Sequence, residues 1–167
     1  MTVPVYISVE IKDAAALSVR DVRRIRKAAN RATALLWHRH YLRRHFRPGA
    51  DVKYGYPARS PKYLDRKRRR ASRGHYVKEG GNAPLVYSGL SRSRMMRPPT
   101  IRAYPTRARV DMAAPSYFRM TPRAGKHPLG RQATKVIENE RRPLTAHNAK
   151  ETERGINATR RTKKTRV

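Results

Sequence analysis

The densest chemical signal in the chain is the run Arg66-Lys67-Arg68-Arg69-Arg70, followed by Arg73 and echoed by Arg160, Arg161, Lys163 and Lys164 near the end. Guanidinium and ammonium groups packed this closely do one kind of chemistry well. They neutralise phosphates or carboxylates and release counterions as they do so. A phosphate backbone is one suitable partner, and the acidic surface of a neighbouring protein is another. Tyr54, Tyr56, Tyr63 and Tyr76 flank the run. They serve equally as stacking platforms for single-stranded bases or as anchors in a protein interface.

Other reactive side chains give weaker patterns. His38, His40 and His45 fall close together, but residues two apart on a helix point about 200° away from each other, and the i, i+4 pair of a helical zinc site is missing. As polar surface residues they need no further role. Glu138 with Glu140, and Glu151 with Glu153, are the closest acidic pairs, and both read as charge balance against nearby arginines. Ser88-Gly89 lacks the Gly-x-Ser-x-Gly pattern of a nucleophile elbow, and neither glycine-rich phosphate-binding fingerprint occurs. The chain reads as a non-enzyme with no catalytic residue, no metal site and no cofactor.

Composition agrees with a binding role. Among 167 residues, 41 are Lys or Arg and only 11 Asp or Glu, a formal net charge of +30. Such a charge repels itself and seeks polyanions. The length suits one domain with a modest core. With no cysteine, neither a disulfide framework nor a thiolate zinc site is available. No apolar run reaches the roughly 18–20 residues needed to span a bilayer. The start, MTVPVYISVEIKD, alternates instead of showing a signal peptide's apolar block. No membrane partner is expected, and the chain is expected to be intracellular, or made inside a cell.

The elements that must position these groups follow from periodicity. Val3, Val5, Ile7, Val9 and Ile11 alternate with polar neighbours, which predicts a strand over residues 2–12, with Pro4 favouring the sheet edge. Ser18 and Asp21 form a capping box opening a long helix over 18–47. Its stripe is Val22, Ile25, Ala29, Ala32 and Leu36, widened by Leu35, Leu42 and Phe46, with Ala28, Ala29 and Ala32 allowing close approach. Arg20, Arg23, Arg24, Lys27 and Arg31 fall on its wet faces, and Arg47-Pro48-Gly49 stops it. Residues 57–81 read as a basic loop insertion, within which a short helix over 62–70 would be unstable alone.

Leu85-Val86-Tyr87 then leads to Ser88 as N-cap of a short helix over 89–96, ended by Pro98-Pro99. Leu85, Val86 and Leu90 are the expected core contacts there. A hairpin follows over 101–104 and 108–112, with Ile101, Ala103, Ala108, Val110 and Met112 inward. Residues 121–131 read as loop, 132–139 as a further strand and 145–158 as a final helix. The expected fold is α+β: an antiparallel sheet packed by one long N-terminal helix. Residues 1–158 make the domain, and the basic tail 159–167 is flexible or held by a partner.

The order strand, long helix, basic insertion, Pro-Leu-Val-x-x-Gly-x-Leu, hairpin and final helix resembles the tail-completion or neck proteins of long-tailed bacteriophages, also known as virion morphogenesis proteins. The match lies at Pro84, Leu85, Ser88, Gly89 and Leu90, with Tyr54-Gly55-Tyr56, the basic stretch after it and the helix end at 37–46 also similar. It spans roughly residues 14–120. The resemblance implies a structural subunit of a homo-oligomeric ring at the head–tail junction of the virion. Its partners would be portal or adaptor subunits and tail-tube or tail-terminator subunits, with double-stranded DNA passing through the lumen. The chain departs from the family in its higher charge and basic tail. The competing reading is a ribosomal or other nucleic-acid-binding structural protein, whose basic loops fold on RNA. On the connector reading, removing residues 66–70 is expected to weaken assembly or DNA retention while leaving the fold intact.

Overall fold

A computed structural model of the protein describes residues 2–6, 17–72, 83, 85, 89–116, 118 and 129–164. Contacts gather them into two compact units. One comprises Thr2–Trp37, Thr100–Asp111 and Glu138–Val167, and the other His38–Pro99 and Met112–Ile137. Among the described residues, helices accompany one three-stranded antiparallel sheet, so the class is α+β.

In the first unit, helix α1 (Val19–Leu36) opens on the predicted capping box. The Asp21 N–H donates to Ser18 Oγ at 3.1 Å, and the Ser18 N–H donates back to Asp21 Oδ2 at 3.4 Å. Two of the helix's orphan donors are satisfied this way. Arg20, Arg23, Arg24, Lys27 and Arg31 are exposed as expected. The buried stripe is more polar than the pattern suggested: Ile25, Ala29, Asn30, Thr33 and Ala34 go inside, while Ala28 is exposed and Val22, Ala32, Leu35 and Leu36 are half-buried.

Among the described residues, strand β1 (Thr2–Tyr6) pairs with β3 (Arg107–Asp111), which in turn pairs with β2 (Thr100–Ala103), giving the order β1-β3-β2. Pro4 sits opposite Arg109 in the edge strand, where a missing N–H is tolerated. Residues 7–12 of the predicted strand lie outside the described residues. The hairpin is present within one residue of its predicted bounds, and Ala103, Ala108 and Val110 are buried on one parity with Ile101 half-buried. Helix α1 packs against β2 and β3 and, elsewhere on its surface, against α6 (Glu138–Lys164).

Helix α6 corrects two expectations. Residues 132–139 do not form a strand; they hold the end of a short helix, three irregular residues and the first turn of α6. The apolar pair Val136-Ile137 is too short to set a period, and Glu138 and Glu140 favour a helix N-terminus through the dipole. Residues 159–164 of the basic tail continue the helix instead of leaving it. The face of α6 that goes inside is Glu140, Leu144, Asn148 and Thr152, a stripe at i, i+4, i+8 and i+12 with one apolar member. Gly155 extends this face. A Cβ there would lie 2.8 Å from Ile25 Cγ2, so the two helices approach closely at this point.

From Trp37, where the chain passes from the first unit to the second, the helix changes its winding. A π turn (Trp37–Tyr41) is followed by a 3-10 turn (Leu42–Phe46), so the predicted helix reaches its predicted end without being α-helical throughout. The buried residues suggest why. They come in pairs four apart: Thr33/Ala34, Trp37/His38, Tyr41/Leu42 and His45/Phe46. Four residues of α-helix rotate about 40° past a full turn. A π turn winds less per residue and keeps such pairs in line, and 3-10 turns commonly end helices. Pro48 and Gly49, the latter at φ 75°, then break the chain before α2 (Ala50–Tyr54).

Of the stretch expected to be a basic loop, residues 57–72 are described, and most of these form a helix. Helix α3 (Pro61–Ser72) begins at Ser60, whose Oγ accepts from the Tyr63 N–H at 3.3 Å, with proline at the first helical position. Among the described residues the unit also holds two short helices, α4 (Leu90–Met95) and α5 (Leu129–Ala133). The second lies partly in the predicted loop 121–131, of which residues 121–128 are outside the described residues. Among the described residues, no helix is long and apolar enough to cross a membrane.

Candidate polyanion interface

Helix α3 divides the basic run. Arg66, Arg68 and Arg69 are exposed, whereas Lys67 is buried and donates to the Ala83 carbonyl oxygen. Tyr63 and Leu64, half-buried, occupy the same inner side one turn earlier, the i, i+3 and i+4 relation of a helix face. Burial pushes the Lys67 ammonium down to about 8, Arg59 adds to the effect, and Asp51 opposes it. Lys67 is therefore a packing residue. The expectation that residues 66–70 can be removed without harm to the fold is corrected accordingly, because the excision would take a buried side chain from under Ala83. Arg70 lies on α3, and Arg73 lies outside the described residues.

The outward arginines remain suited to anions. Arg66 lies 6.0 Å from the Tyr63 ring centroid, and the ion pair of Arg68 with Asp65 at 3.8 Å is largely exposed and weak. The distal basic residues Arg160, Arg161, Lys163 and Lys164 fall in the last turns of α6, where positive charge complements the helix dipole. They belong to the other unit, and Arg160 is half-buried.

The tyrosines expected to flank an interface are mostly core. Tyr54 and Tyr56 are buried and stack on each other at 5.7 Å, and Tyr54 stacks on His45 at 3.8 Å. Neither offers a face to a nucleic-acid base. Tyr63 is half-buried, and Tyr76 lies outside the described residues. Lys135 Nζ donates to the Tyr54 carbonyl at 2.6 Å, and Arg59 donates to Gln132 Oε1 at 2.6 Å, so two more cations are committed to packing.

The histidines are corrected in the same way. His38 and His45 are buried, and only His40 is exposed. His38 Nε2 donates to the Met95 carbonyl at 2.8 Å; burial lowers its pKa first, with Arg39 and Arg43 adding to that and the Met95 bond opposing it. His45 Nδ1 faces the Gln132 carbonyl at 3.0 Å and the Tyr56 hydroxyl. A carbonyl only accepts, so Nδ1 carries the proton. Burial drives the His45 pKa down to about 4 despite that bond, and Lys53 lowers it further. Among the described residues, no three His, Asp or Glu side chains gather as a metal site.

The segment that carries the family resemblance is partly described. Leu85 is buried, Pro84, Val86 and Ser88 lie outside the described residues, and Leu90 is exposed at 43 %. Core contact from α4 comes from Ser91 and Met95, not Leu90. The N-cap is Gly89 at φ 78°, where the sequence had suggested Ser88. A left-handed cap of this kind favours glycine, which gives the glycine of the motif a backbone reason. The sequence reading also missed Arg102, Arg107 and Arg109, which the hairpin's alternation sends to the side opposite Ala103, Ala108 and Val110.

No protein-family model matches the chain, and no curated protein or solved structure matches it. Function is read from its own side chains.

Proposed function

We propose that the chain is a non-enzymatic structural subunit of a phage head–tail connector. In this reading it forms a homo-oligomeric ring, joins portal or adaptor subunits to tail-tube or tail-terminator subunits, and surrounds the DNA channel of the virion. The observation that carries the reading is the segment from Leu85 to Asp111. A buried Leu85, a left-handed Gly89 and a one-and-a-half-turn helix lead directly into an antiparallel hairpin, the placement the resembling family's segment implies. Two further features support it. Among the described residues the outer edges of β1 and β2 have no strand partner, which suits edge-to-edge association of copies. The outward arginines of α3 give such a ring a means of gripping acidic neighbours.

Replacing Arg66, Arg68 and Arg69 together with glutamine tests the docking role. All three are exposed, so stability should change by no more than about 0.5 kcal/mol per site. Rings seen by negative-stain electron microscopy should then persist but lose their capture of a polyglutamate-coated surface. Undiminished capture would remove α3 from the interface. The alternative, a ribosomal or other nucleic-acid-binding structural protein, draws on the same exposed arginines and needs no ring.

A further inference from the structure

We propose that the arginine-bearing face of the three-stranded sheet, opposite its apolar side, is a docking surface for the sugar–phosphate backbone of double-stranded DNA, contacted by Arg102, Arg107 and Arg109. The hairpin's alternation sends Ile101, Ala103, Ala108 and Val110 to the face against which α1 packs. The opposite parity holds Thr100, Arg102, Arg107, Arg109 and Asp111. Register places Arg102 directly across from Arg109. Like charges directly opposite each other weaken a sheet, so sheet stability does not account for this pair.

Asp111 makes the pair tolerable and also sets its geometry. Its Oδ1 lies 3.1 Å from Arg109 Nε, and its Oδ2 lies 3.4 Å from Arg102 Nε. One carboxylate thus holds two guanidiniums side by side while their side chains stay 48 % and 63 % exposed. Holding them in advance lowers the entropy lost when an anion binds. Two strand residues along, Arg107 lies 5.4 Å from the centroid of the Tyr104 ring, which is itself 43 % exposed. Among the described residues of the hairpin, three guanidiniums face one carboxylate on this side.

The spacing favours a nucleic-acid backbone over an acidic protein. Same-face residues on a strand are about 7 Å apart, a separation comparable with that between successive phosphates on one nucleic-acid strand. The planar guanidinium fork matches phosphate in a way a point charge does not. Arg107 already covers a face of Tyr104, so that ring anchors a guanidinium and is poorly placed to stack a base. A surface that reads backbone without bases fits a duplex, whose phosphates form a rigid row. The choice of duplex DNA rests on the connector reading, whereas the surface itself rests on the geometry.

The test is fluorescence anisotropy of the full chain with a labelled DNA duplex, titrated with salt. The variant R102Q/R107Q/R109Q is compared with R20Q/R23Q/R31Q, which removes the same charge from the exposed side of α1. The sheet variant should lower the slope of log K against log salt by about 2–3 and weaken binding at least tenfold, since each neutralised phosphate contributes about 0.9 to the slope. The α1 variant should change the slope by less than about 1. Equal losses would mean undirected charge attraction and overturn the proposal. So would tighter binding of a single strand than of the duplex, or equal displacement of DNA by polyglutamate. Phenylglyoxal modification of the unaltered protein gives a readout independent of any variant's folding. Bound duplex should protect Arg102, Arg107 and Arg109 more than Arg20 and Arg23, and equal reaction would contradict the assignment. Self-assembly in high salt plays no part in these readouts, so the connector reading can fail while this one stands.

Discussion

Replacing Asn30 with alanine should lower the melting temperature by about 10 °C. Asn30 is buried in the middle of α1 and ties three pieces of chain together. Its Nδ2 donates to the Tyr104 carbonyl at 2.8 Å and to the Pro105 carbonyl at 3.2 Å, holding the hairpin turn. Its Oδ1 accepts from Asn148 Nδ2 at 3.1 Å, and the same Asn148 nitrogen reaches Thr33 Oγ1 at 3.1 Å. Alanine takes one partner each from two carbonyls and an amide donor, with Asn30 and Asn148 both buried. Each such loss costs about 1–3 kcal/mol when complete, and part of the Tyr104–Pro105 turn is solvated, so a total near 3 kcal/mol is reasonable. At about 2–4 °C per kcal/mol for a chain of this size, the shift follows. Asn30→Ala combined with Asn148→Ala should cost less than the sum of the two single changes, because both act on one network. Thermal melts that add within about 0.3 kcal/mol would show that the network does not couple α1 to α6.

The second large effect is a dependence on pH. His45 is neutral in the fold, with its pKa pushed down to about 4 chiefly by burial, against 6.5 when unfolded. Between those values the unfolded chain binds a proton that the folded chain refuses, so stability falls as pH drops from about 6.5 and levels off near 4. The loss is on the order of 3 kcal/mol, from about 1.4 kcal/mol per pKa unit. Other acidic groups titrate in the same window, so the clean measurement is a difference. His45→Phe keeps a ring against Tyr54 but gives up the hydrogen bond to the Gln132 carbonyl. It should be less stable than the natural protein at pH 8, and the gap should narrow steadily towards pH 4.5 in urea unfolding. A gap independent of pH would mean that His45 binds its proton equally well folded and unfolded, and a gap that widened towards low pH would mean that it is protonated in the fold.

Several features were legible because one physical signal dominated them. The Ser18–Asp21 box, the hairpin parity and the Pro48-Gly49 stop each follow from local chemistry, and each appears in the structure. Helix α6 was shortened in the reading because its inner stripe is Glu140, Leu144, Asn148 and Thr152, which hydropathy counts as surface. Helix α3 was hidden by its charge, although Ser60-Pro61 marked its start. The winding change after Leu36 had no residue-level marker. At the candidate site, charge located the basic run but gave no means of telling Lys67, which packs inside, from Arg66 and Arg68, which do not. Likewise Tyr54, Tyr56 and His45 look like surface chemistry in a list of residues and prove to be a stacked core.

The central claim is that this basic chain is an assembling structural subunit before it is a nucleic-acid binder. Light scattering after size exclusion in about 1 M salt, where charges are screened beyond about 3 Å, measures this most directly on nuclease-treated protein. The account predicts a discrete mass that is a large multiple of 19.3 kDa, held together by sheet edges and packed faces. A single species at 19.3 kDa across the concentrations tested, associating only when nucleic acid is added at low salt, would contradict it.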